Sequence, residues 1–335
     1  MRLAVASKIK DCILFYKFAP DRPADPWVTG QSSYAQWNVP SPTGLAMNSN
    51  GDLYAASSGS RGGPPSAVYM MAKKALPCPT RKRGVRSSNL LIDLSDGTDG
   101  YPLDIAFDGH GRMYVAWEAG IRSKIRIFDV NTLKEAPPIY QDVSEPQALC
   151  TGGDQVFAAC SDGVLVIDSN LNPTLYAARR NNTNCPSAVC PQPAGICGLA
   201  WDQAHGNLYL AVGVAQNLGR QFTRVIVCSW SVDKRIMYFE YSNYNTGTSG
   251  GGHDYMDWHL APGKVSFVAT DPINPQPNEL WACAPVANIL SHMAPSGILR
   301  LRVSPTSAAF VIEARSWVGG DVNLPLAFLV LPDCP

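Results

Sequence analysis

A glycine-flanked segment of the chain contains its densest group of side chains that could do chemistry. Two histidines and two aspartates lie within residues 253–259, and imidazoles beside carboxylates could bind a transition metal or act as an acid–base pair. The aromatic rings between them could stack on a sugar or a partner. Because the spacing matches no metal motif, we favour a loop whose aromatics fold back on the protein. The candidate interaction residues are His253, Asp254, Asp257, Trp258 and His259.

A second aromatic-rich segment lies near the start of the sequence, at residues 21–42. It carries Trp27, Tyr34 and Trp37 among proline, serine and glutamine. Exposed aromatic side chains suit contacts with a protein or a glycan. The alternative is that the prolines only stiffen a long loop.

Residues 181–193 form a third candidate loop, with three prolines. Asn181 begins an Asn-Asn-Thr glycosylation sequon, which predicts a surface position in a secreted protein. Cys185 and Cys190 in the same loop are candidates for a disulfide.

Composition narrows the range of functions. The 27 basic and 27 acidic residues cancel, so no long-range field would attract nucleic acid or an anionic membrane. No stretch of the sequence approaches the ~20 apolar residues that span a bilayer. The chain has neither a phosphate-binding Walker loop nor a nucleophile elbow with a strand before it and a helix after it.

The ten cysteines point to an oxidising compartment, and we expect an extracellular protein. A different interpretation is also open, because several cysteines lie in segments with strand-like composition and could be buried thiols. These are Cys12, Cys150, Cys160, Cys197, Cys228 and Cys283.

A short repeated pattern determines which elements must position these residues. A turn is followed by a polar residue, an apolar residue, usually an aromatic and then a small residue, which is typical of a tight turn that enters a buried strand. Asn48, Asp108 and Asp202 precede such turns and are expected to cap them through side-chain to backbone hydrogen bonds. The six copies are 2–6, 50–56, 111–116, 153–159, 206–211 and 278–282.

Each copy of the pattern belongs to a group of four short strand-like runs, which is typical of the blades of a β-propeller. The first group is 44–47, 52–56, 67–71 and 89–94, and the second is 104–107, 112–117, 124–128 and 138–140. The third is 148–150, 155–160, 163–167 and 173–176, and the fourth is 198–201, 207–212, 224–228 and 235–239. The fifth is 265–268, 279–283, 297–301 and 309–312.

The remaining strand-like runs lie at the two ends of the sequence. We predict that residues 1–40 and 321–335 together form the sixth blade, since joining them in one sheet leaves no unpaired edge. The predicted fold is therefore an all-β, six-bladed propeller of four-stranded antiparallel blades, with residues 1–335 as a single domain.

The stretches 42–56, 102–116 and 198–211 resemble the six-bladed propellers of the NHL-repeat, strictosidine-synthase-like and gluconolactonase (regucalcin-like) group. The resemblance implies a ligand site at one mouth of the central channel, where the innermost strands begin. In the enzymes of this group, Glu, Asn and Asp side chains there hold one divalent cation, commonly Ca²⁺.

The matching channel-mouth positions of this chain are Thr43, Asp104 and Gln147. Only Asp104 is acidic, and a hard cation such as Ca²⁺ needs about six oxygen ligands. We therefore expect no cofactor and assign no catalytic residue, with Ca²⁺ kept as the alternative.

The sequence favours a secreted, non-enzymatic propeller that serves as a binding or assembly module of an extracellular structure. Its partner would be a protein or a glycan, or a second copy of the chain, and not a nucleic acid. One alternative is a Ca²⁺-dependent lactone or ester hydrolase, or a strictosidine-synthase-like enzyme, with its site at the channel mouth. Another is an intracellular scaffold whose cysteines stay reduced.

Overall fold

The computed structural model describes a series of ranges that together cover most of the chain's strands. These are residues 2–7, 10–17, 33–59, 63–79, 89–95, 97, 99–141, 143–160, 163–180, 193–202, 207–215, 221–231, 236–240, 265–268, 278–284, 297–303, 317–318 and 325–331. Within these ranges the chain is β-structure, with two single-turn 3-10 helices at Lys73–Ala75 and Gly120–Arg122.

The strands succeed one another in short antiparallel sets. The first eleven are β1 (Arg2–Ser7), β2 (Cys12–Lys17), β3 (Ala35–Asn38), β4 (Pro42–Met47), β5 (Leu53–Ser57), β6 (Ala67–Met71), β7 (Leu90–Asp93), β8 (Tyr101–Phe107), β9 (Arg112–Glu118), β10 (Lys124–Asp129) and β11 (Glu135–Ile139). Next come β12 (Ala148–Gly152), β13 (Gln155–Cys160), β14 (Gly163–Ile167), β15 (Pro173–Arg180), β16 (Pro193–Asp202), β17 (Asn207–Ala215), β18 (Gln221–Ser231) and β19 (Ile236–Glu240). The last are β20 (Val265–Val268), β21 (Asn278–Ala284), β22 (Gly297–Val303), β23 (Trp317–Val318) and β24 (Pro325–Leu331).

These strands form four-stranded groups in the order of the chain, as the sequence predicts. β4 to β7 form one sheet, β8 to β11 another, and β20 to β23 a third. The predicted strand at 309–312 lies outside the described residues, and Trp317–Val318 pairs with β22 in this sheet. In the first group the burial follows the predicted pattern, because β5 is buried along its whole length and β7 is exposed at both ends.

The two ends of the chain meet in one sheet, which confirms the predicted closure. β24 pairs with β1 in antiparallel register, with Arg2 opposite Leu331, and the strand order continues to β2 and β3. β24 therefore takes the innermost place in a sheet whose other strands come from the N-terminal end.

The third and fourth groups are joined in a way that the sequence does not predict. The end of β15 pairs in parallel with β19, with Ala177 opposite Ile236, so β12 to β19 form one eight-stranded sheet. The count of six separate blades therefore stays a prediction.

The sheets pack side by side around the innermost strands. β4, β8, β12, β16, β20 and β24 contact one another in succession, and β24 contacts β4. Apolar clusters fill the spaces between neighbouring sheets: Ile13 and Trp37 pack with Leu53 and Tyr69, and the Tyr54 ring lies 4.6 Å from the Phe107 ring. This is the arrangement expected of a β-propeller, and it confirms that the recurring aromatics Tyr54, Tyr114 and Phe157 are packing residues.

The turns between the first two strands of two groups are capped as the sequence predicts. The Asn48 Oδ1 atom accepts the Asp52 N–H at 2.9 Å. The Asp108 Oδ1 atom accepts the N–H groups of His110 and Arg112, each at 2.9 Å. The side chain of Asp202 lies outside the described residues.

Candidate functional site

The channel mouth that the sequence identifies lies where β4, β8 and β12 begin. Thr43 is in β4, Asp104 is in β8, and Gln147 directly precedes β12. By pairing register, Asp104 corresponds to Gly44 and Ala148, so it lies one residue further along its strand than Thr43 and Gln147 do.

The Thr43 side chain connects the first two of these strands. It is 2% exposed, and its hydroxyl donates to the Pro102 carbonyl of β8 at 2.8 Å. The strands approach so closely that a Cβ atom at Gly44 would lie 2.7 Å from the Asp104 Cα atom. A side chain larger than hydrogen has no room at Gly44, and the mouth is tightly packed here.

Asp104 makes the corresponding connection between β8 and β12. The residue is 4% exposed, its Oδ1 atom accepts the Ile105 N–H at 2.8 Å, and its Oδ2 atom accepts the Leu149 N–H at 2.9 Å. Each carboxylate oxygen therefore receives a backbone hydrogen bond. Such charge-assisted bonds hold a carboxylate firmly in one orientation.

Gln147 is more accessible than the other two predicted residues. Gln147 is partly exposed, and its backbone N–H donates to the Ala159 carbonyl at 2.9 Å. Among the described side chains at this end, Gln147 is the one predicted ligand position that is not buried.

Among the three predicted ligand positions, Asp104 supplies the one carboxylate. Ca²⁺ takes six to eight oxygen ligands from a cluster rich in carboxylates. Here the single carboxylate accepts two N–H groups, and the nearby Thr43 hydroxyl donates to a carbonyl. Within the described part of the chain, no three His, Cys, Asp or Glu residues are grouped so that they could hold a metal ion.

Cys150 is the nucleophilic group closest to this network. Its thiol is buried, although the residue as a whole is partly exposed, and it packs against the cluster that contains Phe157. Burial, and then the negative charge of Asp104, raise the pKa of the Cys150 thiol. Because the thiolate is the reactive form, this cysteine is unsuited to nucleophilic catalysis.

The same end of the molecule exposes a group of large apolar side chains. Tyr101 begins β8 and is 39% exposed, Tyr140 follows β11 and is 55% exposed, and Ile121 lies in the turn between β9 and β10 with its side chain entirely in solvent. Only one other large apolar residue of the described part of the chain is exposed, Leu90 in β7. Three of the four therefore lie at one end of one sheet.

Hydrogen bonds hold the turn that carries Ile121. The Arg122 N–H donates to the Ala119 carbonyl at 3.2 Å, and the Ser123 N–H donates to the Gly120 carbonyl at 3.1 Å. The Ser123 hydroxyl donates to the same carbonyl at 2.7 Å and accepts the Ala119 N–H at 3.1 Å. Ser123 is itself 3% exposed, so a buried side chain anchors the turn.

Basic side chains border this surface. The Lys124 Nζ atom lies 5.7 Å from the centre of the Tyr140 ring and 6.0 Å from that of the Trp117 ring. Arg122 is exposed beside Ile121. The Glu118 Oε1 atom accepts the Gly120 N–H at 2.9 Å, and the Glu118 Oε2 atom is buried.

The structure corrects the prediction of Trp37 as an exposed interaction residue. Trp37 lies in β3 opposite Ile13 and is 0% exposed. The physical reason is that β3, although outermost in its sheet, still packs its inward face against the neighbouring sheet.

Tyr34 also belongs largely to the interior. Its ring lies 6.4 Å from the Phe15 ring, and its hydroxyl donates to the Pro77 carbonyl at 3.2 Å. Burial raises the pKa of Tyr34. The other predicted loop residues lie outside the described part of the chain: Trp27, Asn181, Cys185, Cys190, His253, Asp254, Asp257, Trp258 and His259.

Sequence analysis did not identify Tyr101, Ile121 and Tyr140. A signal is present at Ile121, because an isolated large apolar residue lies between glycine and arginine in the short link of two strands. Turns normally carry polar residues, so an apolar residue there is unexpected. Tyr101 and Tyr140 give no such signal, since each adjoins a strand and is equally compatible with the core.

The cysteines whose side chains the structure describes fall into two kinds. Cys12, Cys150 and Cys160 are thiols within strands, as the interpretation based on buried thiols predicts. Cys78 is disulfide-bonded.

Solved structures share this architecture over nearly the whole chain. A chain of a nidogen/laminin complex aligns with a TM-score of 0.59 and 9% identity, covering 98% of this chain and 97% of that one. The fold is a β-propeller. A protein of unknown function from Bacteroides caccae aligns with a TM-score of 0.53 and 8% identity. The alignment covers 98% of this chain and 97% of the Bacteroides chain.

No protein-family model and no curated protein matches this propeller by sequence. None of the helices in the described part of the chain is long and apolar enough to cross a membrane.

Proposed function

We propose that this propeller is a secreted, non-enzymatic protein that binds a macromolecular partner and serves in the assembly of an extracellular structure. Its working surface would be the end of the molecule where the innermost strands begin. The channel mouth at this end would be structural, and the exposed apolar side chains beside it would make the contact.

The hydrogen bonding of Asp104 carries the proposal. This residue is the only acidic side chain among the predicted ligands, and both of its carboxylate oxygens accept backbone N–H groups from the innermost strands. A general base or a metal ligand needs an oxygen directed at substrate or cation. Asp104 instead connects two sheets, which supports a structural role.

The exposed apolar residues support a binding role. Three of the four exposed large apolar residues of the described part lie at one end of one sheet, and tyrosine is enriched at interfaces. The similarity to a chain of a nidogen/laminin complex shows that this architecture also occurs in a protein–protein complex. That likeness concerns the fold, and it supports the proposal as a precedent.

Secretion is supported by the bonded state of Cys78, because disulfides persist in oxidising compartments. The buried thiols Cys12 and Cys160 are compatible with any compartment, since buried cysteines behave as small apolar residues.

We further propose six blades and a relationship to the NHL-repeat and gluconolactonase (regucalcin-like) group. The capped turns at Asn48 and Asp108, each followed by a glycine and an aromatic strand residue, support this relationship.

The non-enzymatic part of the proposal is tested by turnover assays. Purified protein is incubated with a panel of lactones and esters, with Ca²⁺ and with a chelator, alongside the Asp104→Asn variant. We expect no turnover that depends on Ca²⁺ or on Asp104. Turnover that Asp104→Asn abolishes, at a temperature where the variant is still folded by circular dichroism, would show that the protein is an enzyme.

The secreted part is tested by intact mass before and after reduction and alkylation of protein from its native source. We expect fewer than the ten cysteines of the sequence to react without reduction. Labelling of all ten without reduction would remove the secreted assignment.

A further inference from the structure

We propose that the protein binds an acidic, apolar polypeptide segment through a surface formed by Tyr101, Ile121, Arg122, Lys124 and Tyr140, hereafter the Ile121 surface. This inference rests on the proposed binding function and names the chemistry of the partner. The occupant is a segment of another protein in which apolar side chains alternate with carboxylates.

The Ile121 surface spans the whole end of one sheet. Tyr101 lies opposite Glu118 of β9, Trp117 lies opposite Lys124 of β10, and Tyr140 follows β11. Three strand spacings separate the two tyrosines, which corresponds to roughly 14 Å at about 4.8 Å a strand. An extended segment of about four or five residues covers that distance at ~3.3 Å a residue.

Ile121 is presented in a fixed position. Its side chain lies entirely in solvent. Hydrogen bonds of Ser123 and Glu118 nevertheless hold the turn on both sides of it. A rigid turn has already lost its conformational entropy before a partner arrives, so binding costs less. An apolar residue held rigidly in water has the properties of an interface anchor, which binds by filling a pocket of the partner.

The basic side chains at this surface favour a partner with negative charge. Arg122 is exposed beside Ile121, and the Lys124 ammonium group lies near the Tyr140 ring. The Glu118 carboxylate is directed inward, because one oxygen accepts the Gly120 N–H and the other is buried. Arg122 and Lys124 therefore place positive charge next to Ile121 and Tyr140, where it is complementary to carboxylates, whereas Asp99 and Glu118 lie beside Tyr101.

The shape of the surface favours a polypeptide over the other occupants. Small ligands bind in concave sites, whereas Ile121 projects from its turn. A bilayer would receive one fully exposed side chain, Ile121, because Tyr101 and Tyr140 are each partly covered. A polypeptide can contact the projecting residue and the two half-covered rings together.

The test uses a phage-displayed library of random peptides, selected in parallel on the full-length protein, on Ile121→Asp and on Leu90→Asp. Leu90 is the matched control, because it is an exposed apolar residue of a different sheet. We expect the unaltered protein and Leu90→Asp to enrich the same acidic, apolar consensus, and Ile121→Asp to lose it. Circular dichroism and thermal unfolding check that all three proteins are folded.

The consensus peptide is then titrated by fluorescence anisotropy. We expect Ile121→Asp to weaken binding by at least about tenfold, as loss of an interface anchor does. Arg122→Glu should reverse the preference for this peptide over a version in which lysine replaces the acidic residues.

Several outcomes overturn the inference. They are a consensus that survives Ile121→Asp, a basic or uncharged consensus, or no enrichment on any of the three proteins. Binding of phosphatidylserine vesicles, of a glycan or of a second copy of the chain, lost in Ile121→Asp and retained in Leu90→Asp, would assign the surface to that occupant instead. These results would remove this binding surface, whereas the secreted and non-enzymatic parts of the proposed function are tested separately, by cysteine labelling and by turnover assays.

Discussion

At the scale of single residues, the surroundings of a carboxylate decide its role more than its position does. Asp104 occupies the place where a channel-mouth ligand is expected from the sequence. Its neighbours present N–H groups to it, and the side chain becomes a connector between innermost strands. Asp108, four positions further along, instead holds a turn together with Arg112 and Tyr114.

Replacing Asp104 by asparagine should destabilise the fold. The amide has one acceptor oxygen where the carboxylate has two, so one N–H of the innermost strands loses its acceptor, at a cost of about 1–3 kcal/mol. Urea unfolding followed by circular dichroism measures the loss. The exposed Asp99→Asn is the control and should lie within about 0.5 kcal/mol of the unaltered protein. Equal stability of the two variants would show that Asp104 is not a structural connector.

Asp108 should make stability depend on pH in a defined direction. Burial opposes its ionisation, but hydrogen bonds from Arg112, His110 and Tyr114 outweigh burial and lower the pKa of Asp108. A carboxyl whose folded pKa lies below its unfolded value stabilises the fold above the unfolded value, about 3.9, and loses this contribution as the pH falls through the folded pKa.

The stability difference between the unaltered protein and Asp108→Asn should therefore be largest near neutral pH and shrink below about pH 4. Unfolding free energies measured at several pH values give this difference directly. A difference that stays constant over the range would contradict the assignment of a lowered pKa.

At the scale of elements, the repeated turn is what made the strands predictable. Gly111 has φ +79°, a backbone conformation that residues with a Cβ atom rarely adopt, and an added Cβ would meet nothing within 4 Å. Gly109 in the same turn also has open space around it and does not have a positive φ. An added Cβ atom is not crowded at either glycine, so the comparison of the two isolates the effect of the backbone conformation.

Gly111→Ala should lower the free energy of unfolding by about 1–2 kcal/mol, because alanine is strained in the left-handed conformation. Gly109→Ala should be neutral or slightly stabilising, because alanine restricts the unfolded chain. Thermal unfolding of the two variants measures the contrast. Similar melting temperatures would show that the turn does not depend on the conformation of Gly111.

The sequence predicted the strands because turn residues and nearly continuous apolar runs are local signals. The prediction of Trp37 as an exposed contact residue was wrong, because the same aromatic residue suits a loop surface and the inward face of an outer strand. The parallel pairing of β15 with β19 leaves no local signal, because it depends on backbone hydrogen bonds between residues about 60 positions apart in sequence. The predicted channel-mouth residues lie in innermost strands or next to them, but their hydrogen-bond partners come from other strands and had to be observed.

At the scale of the whole molecule, the sheet made by both ends is the feature on which the ring depends. β24 covers the inner edge of β1 and also contacts β4. A chain that stops before β24 would leave the backbone groups on the inner edge of β1 without partners and would remove Ala327 and Leu331 from the core.

Truncation after residue 324 should therefore abolish cooperative unfolding and promote association through the bare edge of β1. Thermal unfolding and light scattering test this. A cooperative, monomeric truncated protein would show that the ring is stable without its closing strand.

The order of synthesis gives this closure a further consequence. β1, β2 and β3 are translated before the other described strands, and β24, which completes their sheet, is translated after them. The nascent sheet therefore has one open side until β24 has been made. Association through this open side would then limit the yield of native protein more than the stability of the completed ring does. A chaperone that shields the open side would raise the yield.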